Sequence, residues 1–247
     1  LTGAVSPRQT RRASWYDQIL PTLCIRARFP DVVAQGSPAG VSPPRMLCRA
    51  APPILGMLGA VTAHDSTVGQ LLIAEPLLGD PNFDRTVVLM IEHNDDGALG
   101  VVLNRPTDLE VDAVLSDWVG LAASPPVLYM GGPVEQNGVL ALARRRRDQP
   151  EVPGWSPVLG DVGTVDLHLE PDELAAGLEG IRFFAGYSGW GSGQLEGELT
   201  EGAWLVVPAV ADDVFAPDPD TMWRSVLRRQ GGKVSMLAHF PAHPSLN

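Results

Sequence analysis

From residue 70 onward apolar residues come in short runs, and the breaks between the runs are built of Gly, Pro, Asn and Asp. Leu71 to Ala74, bounded by Gly69 and Pro76, is too short for a helix and predicts a buried strand. Thr86 to Ile91 reads TVVLMI, with both alternate sets of side chains apolar, so it predicts a strand covered on both faces in the middle of a sheet. His93 to Gly97 (HNDDG) then supplies turn chemistry and Leu99 to Leu103 is apolar again. Together these runs predict a β-hairpin whose second strand stops near Asn104, ahead of Pro106, which has no N–H to give a ladder.

The period then changes. Thr107 and Glu110 have the spacing of a capping box, and Val111, Val114, Leu115, Trp118 and Val119 recur as one face of an amphipathic helix with Trp118 as its anchor. Val127 to Met130 reads as a strand, Gly131, Gly132 and Pro133 break it, and Gly138 to Ala143 resumes. Gly163 to Leu169 alternates as a strand, Pro171 opens a short helix packed through Leu174 and Leu178, and Ile181 to Ala185 is a strand entering a glycine-rich turn with a helical segment behind it. Trp204 to Ala209 is a strand placed near an edge by Pro208. The segment 218–230 carries the fullest helix signature: Asp218 as N-cap, Pro219 at the first position, a stripe of Met222, Trp223, Val226 and Leu227, Arg228 and Arg229 in the last turn and Gly231 beyond.

Charge divides the chain in two. Residues 1–56 hold 7 Arg against 2 Asp, whereas the rest holds 11 basic and 27 acidic residues, a net charge of −16. The first part also lacks any sustained period and is punctuated by prolines such as Pro21, Pro30, Pro38, Pro43 and Pro44. It is expected to be a disordered basic extension ahead of a domain at 57–247, with Met57 or Met46 as the true start. Cys24 and Cys48 both fall in the extension, so the domain has no thiol for a nucleophile, a disulfide or a soft metal site. With 45% hydrophobic residues, a mean hydropathy of +0.04 and no apolar run of membrane-spanning length, the expectation is a cytoplasmic protein without a membrane partner. A domain at −16 repels phosphate backbones, which disfavours direct DNA binding.

Three strings, EHNDDGALGVVLNRP (92–106), YMGGPV (129–134) and GYSGWGSGQLEGEL (186–199), stand in an order that resembles the AlgH/YqgE family of bacterial proteins, over about Gly69 to Asn247. The resemblance implies an α+β fold in which a bifurcated, mixed to antiparallel sheet wraps into a pseudo-barrel with packed helices. It also implies no established enzymatic activity and an association with transcriptional regulation, and no cofactor is expected.

Candidate chemistry lies in four places. At the glycine-rich corner, Tyr187, Ser188, Trp190, Gln194 and Glu196 form either a packed strand-to-helix corner or a surface for a ligand or partner. No Lys-Ser/Thr pair follows the glycines, and Trp190 stands where a nucleophile elbow needs Gly, so neither a P-loop nor a hydrolase serine is present. Asn104 and Arg105 with Gly131 and Gly132 are expected to meet at one edge of the sheet; Arg105 either binds an anion or, the preferred reading, pairs with a carboxylate. The run Arg144, Arg145, Arg146 and Arg147 resembles a nucleic-acid patch, but no aromatic residue interleaves with it, and a solvated loop is preferred. Glu92, His93, Asn94, Asp95 and Asp96 are polar enough for a metal but lack ligand spacing, so no metal site is expected. The reading as a whole is a non-enzymatic regulatory or adaptor protein acting through a protein partner. The alternative is a small-ligand binder or enzyme at the 186–196 corner, using His93 or Arg105.

Overall fold

The computed structural model describes residues 24–26, 66–76, 80–149 and 151–241. In chain order the strands are β1 (Cys24–Arg26), β2 (Gln70–Ala74), β3 (Val87–Asn94), β4 (Gly97–Val102), β5 (Pro106–Glu110), β6 (Val127–Met130), β7 (Val134–Arg145), β8 (Trp155–Leu159), β9 (Val162–Val165), β10 (Leu178–Gly191) and β11 (Trp204–Pro208). The helices are α1 (Pro171–Ala175), α2 (Gln194–Thr200), α3 (Ala211–Val214), α4 (Pro219–Gln230) and α5 (Gly232–Leu237). This is an α+β fold, and its curled, largely antiparallel sheet forms a half-barrel. The order across the sheet is β11-β2-β3-β4-β10-β7-β9-β8, and a short arm of β6 and β5 branches from β10.

The branch follows from the length of β10. Its last residues, Ser188 to Gly191, pair with β4, while Leu178 to Tyr187 pair with β7, and Phe184 and Ala185 also pair in parallel with Tyr129 and Met130 of β6. Gly186, at φ +70°, sits at a register shift between Ala185 and Tyr187 near the end of the β7-paired part, a conformation that a residue with a Cβ adopts only with strain.

The alternating runs place apolar side chains on both faces of the sheet. Leu71, Ile73, Leu89, Val101, Leu140 and Phe184 face α4 and α5. Leu72, Val88, Met90, Val102, Trp190 and Trp204 form a second core toward α2. Val139, Ala141, Ile181 and Phe183 form a third with Trp118 and α1. β3 is covered on both faces, as its composition predicts, and lies between β2 and β4. The tight turn at Asp95 and Asp96 joins it to β4, with Asn94 opposite Gly97. α4 has its expected bounds: Asp218 accepts from Thr221 N at 3.4 Å, Pro219 starts the helix, and Met222, Trp223, Val226 and Leu227 are buried, each side chain worth about 2 kcal/mol of transfer energy.

Several elements differ from the sequence reading. The amphipathic helix expected from Thr107 does not form: Pro106 to Glu110 is a strand, and Val111–Ala113 and Ser116–Leu121 are 3-10 turns. The Thr107 hydroxyl donates to Leu128 O at 2.8 Å, tying the chain to β6. Val111, Leu115 and Trp118 are buried all the same, because two 3-10 turns also bring them to one side, while Val119 is 41% exposed. The strand expected over Gly163 to Leu169 ends at Val165, and β7 runs to Arg145, so Arg144 and Arg145 belong to a strand. Cys24–Arg26, within the extension expected to be disordered, pair with Gly138 to Leu140 of β7. The rest of residues 1–56, with the starts at Met46 and Met57, lies outside the described residues.

Candidate functional site

The glycine-rich corner is mostly strand. β10 continues through Gly191, so the turn before α2 is confined to Ser192 and Gly193, the latter at φ +70°. Of the two alternatives for this stretch, a packed corner or a ligand surface, its side chains take the packed one: Tyr187 is 4%, Ser188 0% and Trp190 2% exposed. Tyr187 packs in the core beneath α4, and Trp190 in the opposite core, edge-on to Trp204 with ring centroids 6.0 Å apart.

The corner is organised around Glu198. Its Oε2 accepts from Trp190 Nε1 and Trp204 Nε1, both at 2.8 Å, and its Oε1 accepts from Gln194 Nε2 at 3.0 Å. Gln194 Oε1 in turn accepts from Gly191 N at 3.2 Å. Three donors satisfy one buried carboxylate, which lets an acid sit inside an apolar core.

Beside it, His93 Nε2 lies 2.8 Å from Glu196 Oε1. Thr67 N donates to His93 Nδ1 at 3.1 Å, and the Thr67 hydroxyl lies 3.0 Å from the same nitrogen. Nδ1 is therefore the acceptor, and Nε2 carries the proton that it gives to Glu196. Hydroxyl, imidazole and carboxylate stand in a line, yet the one lone pair of Nδ1 already accepts from the Thr67 backbone N, so the imidazole is not free to activate the hydroxyl as a nucleophile.

Arg105 and Gly131 come to the junction of β4, β6 and β10 through their backbones, where Ser188 joins them, whereas the Asn104 side chain turns to the start of β3. Met130 N donates to Arg105 O at 2.8 Å, Val102 N to Gly131 O at 2.9 Å and Ser188 Oγ to Gly131 O at 3.2 Å. A Cβ on Gly131 would lie 2.3 Å from Gly186 O, and one on Gly132 2.3 Å from Tyr187 C, so both glycines serve close backbone approach. The Asn104 amide accepts from Val87 N and donates to Arg85 O, both at 2.9 Å. Arg105 Nη2 donates to the Asp84 backbone carbonyl at 3.0 Å, where a carboxylate partner was expected.

The arginine run is anchored to the fold. Arg144 donates to Asp212 at 2.6 Å and lies over the Phe215 ring; Arg145 lies over Trp155; Arg146 Nε donates to Leu178 O at 3.1 Å. Arg147 is 4.0 Å from Asp161. Its aromatic neighbours come from distant segments, which sequence spacing does not reveal. His168 pairs with Asp166 at 2.8 Å on an exposed turn, and its backbone and side-chain bonds hold the Asp166 carboxyl below the usual range. Among the described residues no group of three or more His, Cys, Asp or Glu is placed to hold a metal ion.

A groove of about 380 Å³ runs along α4, lined by residues that include Ala216, Pro217, Thr221, Met222 and Ser225. Near it lies Arg182, buried under Tyr129. Its signal was present in the sequence as a lone charge within IRFFAGY.

Residues 71–235 match the family model described as DUF179, AlgH-like. The chain belongs to the AlgH-like family. It is 48% identical over 193 residues to a UPF0301 protein of Streptomyces coelicolor, covering 77% of this chain and 100% of that protein. It is 45% identical over 190 residues to a UPF0301 protein of Mycobacterium tuberculosis, covering 76% and 94%. Among solved structures, a Corynebacterium diphtheriae protein matches at 32% identity and a TM-score of 0.67, over 71% of this chain and 93% of that one. The AlgH protein of Pseudomonas aeruginosa matches at 29% identity and 0.54, over 75% and 100%. The His93–Glu196 pair and the Glu198 node of this AlgH-like chain both lie inside the matched span.

Proposed function

We propose that this AlgH-like protein acts by binding, as a non-enzymatic cytoplasmic adaptor or regulatory protein that reaches transcription through a protein partner. The observation that supports this reading is dispersal. Tyr187 and Trp190 are committed to different cores, Ser188 to Gly131 O, and Arg105 to the Asp84 carbonyl, while Glu196 of α2 is taken up by His93 of β3. An active site needs such groups converged on one reacting atom. The −16 charge of residues 57–247 and the internal contacts of Arg144 to Arg146 argue for a protein rather than DNA as the partner. Among the described residues no helix is long and apolar enough to cross a membrane.

A second reading, a small-ligand site or enzyme at the 186–196 corner, draws on the Thr67–His93–Glu196 line. One experiment separates them. Loss of the gene is expected to alter transcript levels, with full restoration by the wild type and by His93→Ala alike, and the purified full chain is expected to leave labelled duplex DNA unbound at low salt. Failure of folded His93→Ala to restore would move the assignment to the second reading. Salt-dependent DNA binding that is lost in Arg144→Glu/Arg147→Glu would replace the protein partner with DNA.

A further inference from the structure

Arg182 lies in the middle of β10 and is 2% exposed. Its guanidinium lies over the Tyr129 ring, 4.5 Å from the centroid; Nη1 donates to Ala216 O at 3.2 Å and Nη2 to Ser124 O at 2.7 Å. Among the described residues no carboxylate forms an ion pair with it, and both Arg182 Nε and the Tyr129 hydroxyl are buried without a hydrogen-bond partner. Other buried charges in this fold are matched: Glu198 receives three donors, and Asp213 is bonded by both Nη groups of Arg229 at 2.7 and 2.8 Å. A buried unpaired cation and two orphan donors each carry a substantial penalty, and all three deficits have the same sign. Each lacks an acceptor or a negative charge.

We propose that the Arg182–Tyr129 stack forms a binding site for one small anion, a carboxylate or a phosphate, entered from the groove along α4. The two bonded Nη groups and the stacked ring fix the guanidinium, which leaves its Nε edge and the phenol as the donors for a ligand. Burial raises the Tyr129 pKa, so the phenol remains a donor. Ala216 joins groove to stack: it lines the groove, and its carbonyl holds Nη1. Around the entrance, Asp213 is neutralised by Arg229 and Asp218 caps α4, while Asp220 acts on Tyr129 from the first turn of α4. That acidic rim selects a compact anion over an extended polyanion. A water molecule would satisfy the donors but leave the charge unpaired.

The test uses the full chain and follows its thermal midpoint through titrations with sodium phosphate, sodium acetate and sodium chloride at matched ionic strength. A saturable rise with phosphate alone assigns phosphate, and one with acetate alone assigns carboxylate. Tyr129→Phe keeps the ring and removes one donor, and is expected to weaken the apparent Kd about tenfold. Arg182→Met is expected to abolish the response. Identical midpoints in all three salts, or a rise that Tyr129→Phe retains undiminished, overturns the proposal even where Arg182→Met fails to fold.

Discussion

At Glu198 one carboxylate takes hydrogen bonds from an indole on β10, an indole on β11 and an amide of its own helix. Replacing it with Ala leaves two buried indole N–H groups without acceptors. The Glu198→Ala protein is expected to be less stable by about 2 to 4 kcal/mol, read as a lower urea midpoint at unchanged slope. Glu92 on β3 behaves oppositely. Burial pushes its carboxyl above the usual range. A raised folded-state pKa on an acid means that the folded chain binds more protons, so this group costs stability as the pH rises from the ordinary carboxyl range through the folded value. Glu92→Gln is expected to stabilise the protein at pH 7, and the gain should shrink on acidification and vanish below the ordinary Glu range, as urea melts at several pH values would show.

At the scale of elements, the junction of β4, β6 and β10 depends on backbone proximity. Gly131→Ala puts a methyl 2.3 Å from Gly186 O, against backbone that has no room to retreat. A loss of about 3 kcal/mol or more is expected, while Gly120→Ala, with nothing within 4 Å, serves as the neutral control in the same denaturation series. Local signals explain which elements could be read from the sequence. α4 carries its cap, its proline, its stripe and its terminal glycine within a few residues of one another, and β3 declares its two covered faces by composition. The Thr107 to Val119 stretch misled because a capping-box spacing and a 3.6-residue stripe are local, whereas the bond from Thr107 to Leu128 that holds β5 extended is not. The glycine string at 186–193 read as a turn for a similar reason. Gly186 serves strands that approach closely, and only the distant partners Gly131 and Gly132 reveal it, whereas a Cβ on Gly193 would meet nothing within 4 Å.

For the whole molecule, the family and fold class were legible because three separated strings keep their order, and they mark the places where the sheet branches. The candidate site was less legible. Tyr187, Ser188 and Trp190 are chemically suggestive side chains whose burial depends on which strands flank β10. The buried cation at Arg182 was overlooked because an apolar run conceals the single charge inside it. Acidity remains a property of the surface as a whole: it leaves the fold unaddressed but sets which partners can approach.

Because β10 is one strand shared by both halves of the sheet, the faces of its two segments, before and after the shift at Gly186, are fixed relative to each other by the number of residues between them. A residue inserted between Leu178 and Gly180 could be absorbed at the register shift there, and one added at the Asp95–Asp96 tip would only lengthen a loop. A residue inserted at Phe183 would turn Ile181 and Arg182 to the opposite face relative to Phe184 and the rest of β10, exchanging side chains between the two cores that flank this part of the strand. Lineages carrying this fold should therefore vary freely in hairpin length while the length of β10 from Ile181 to Gly191 stays invariant.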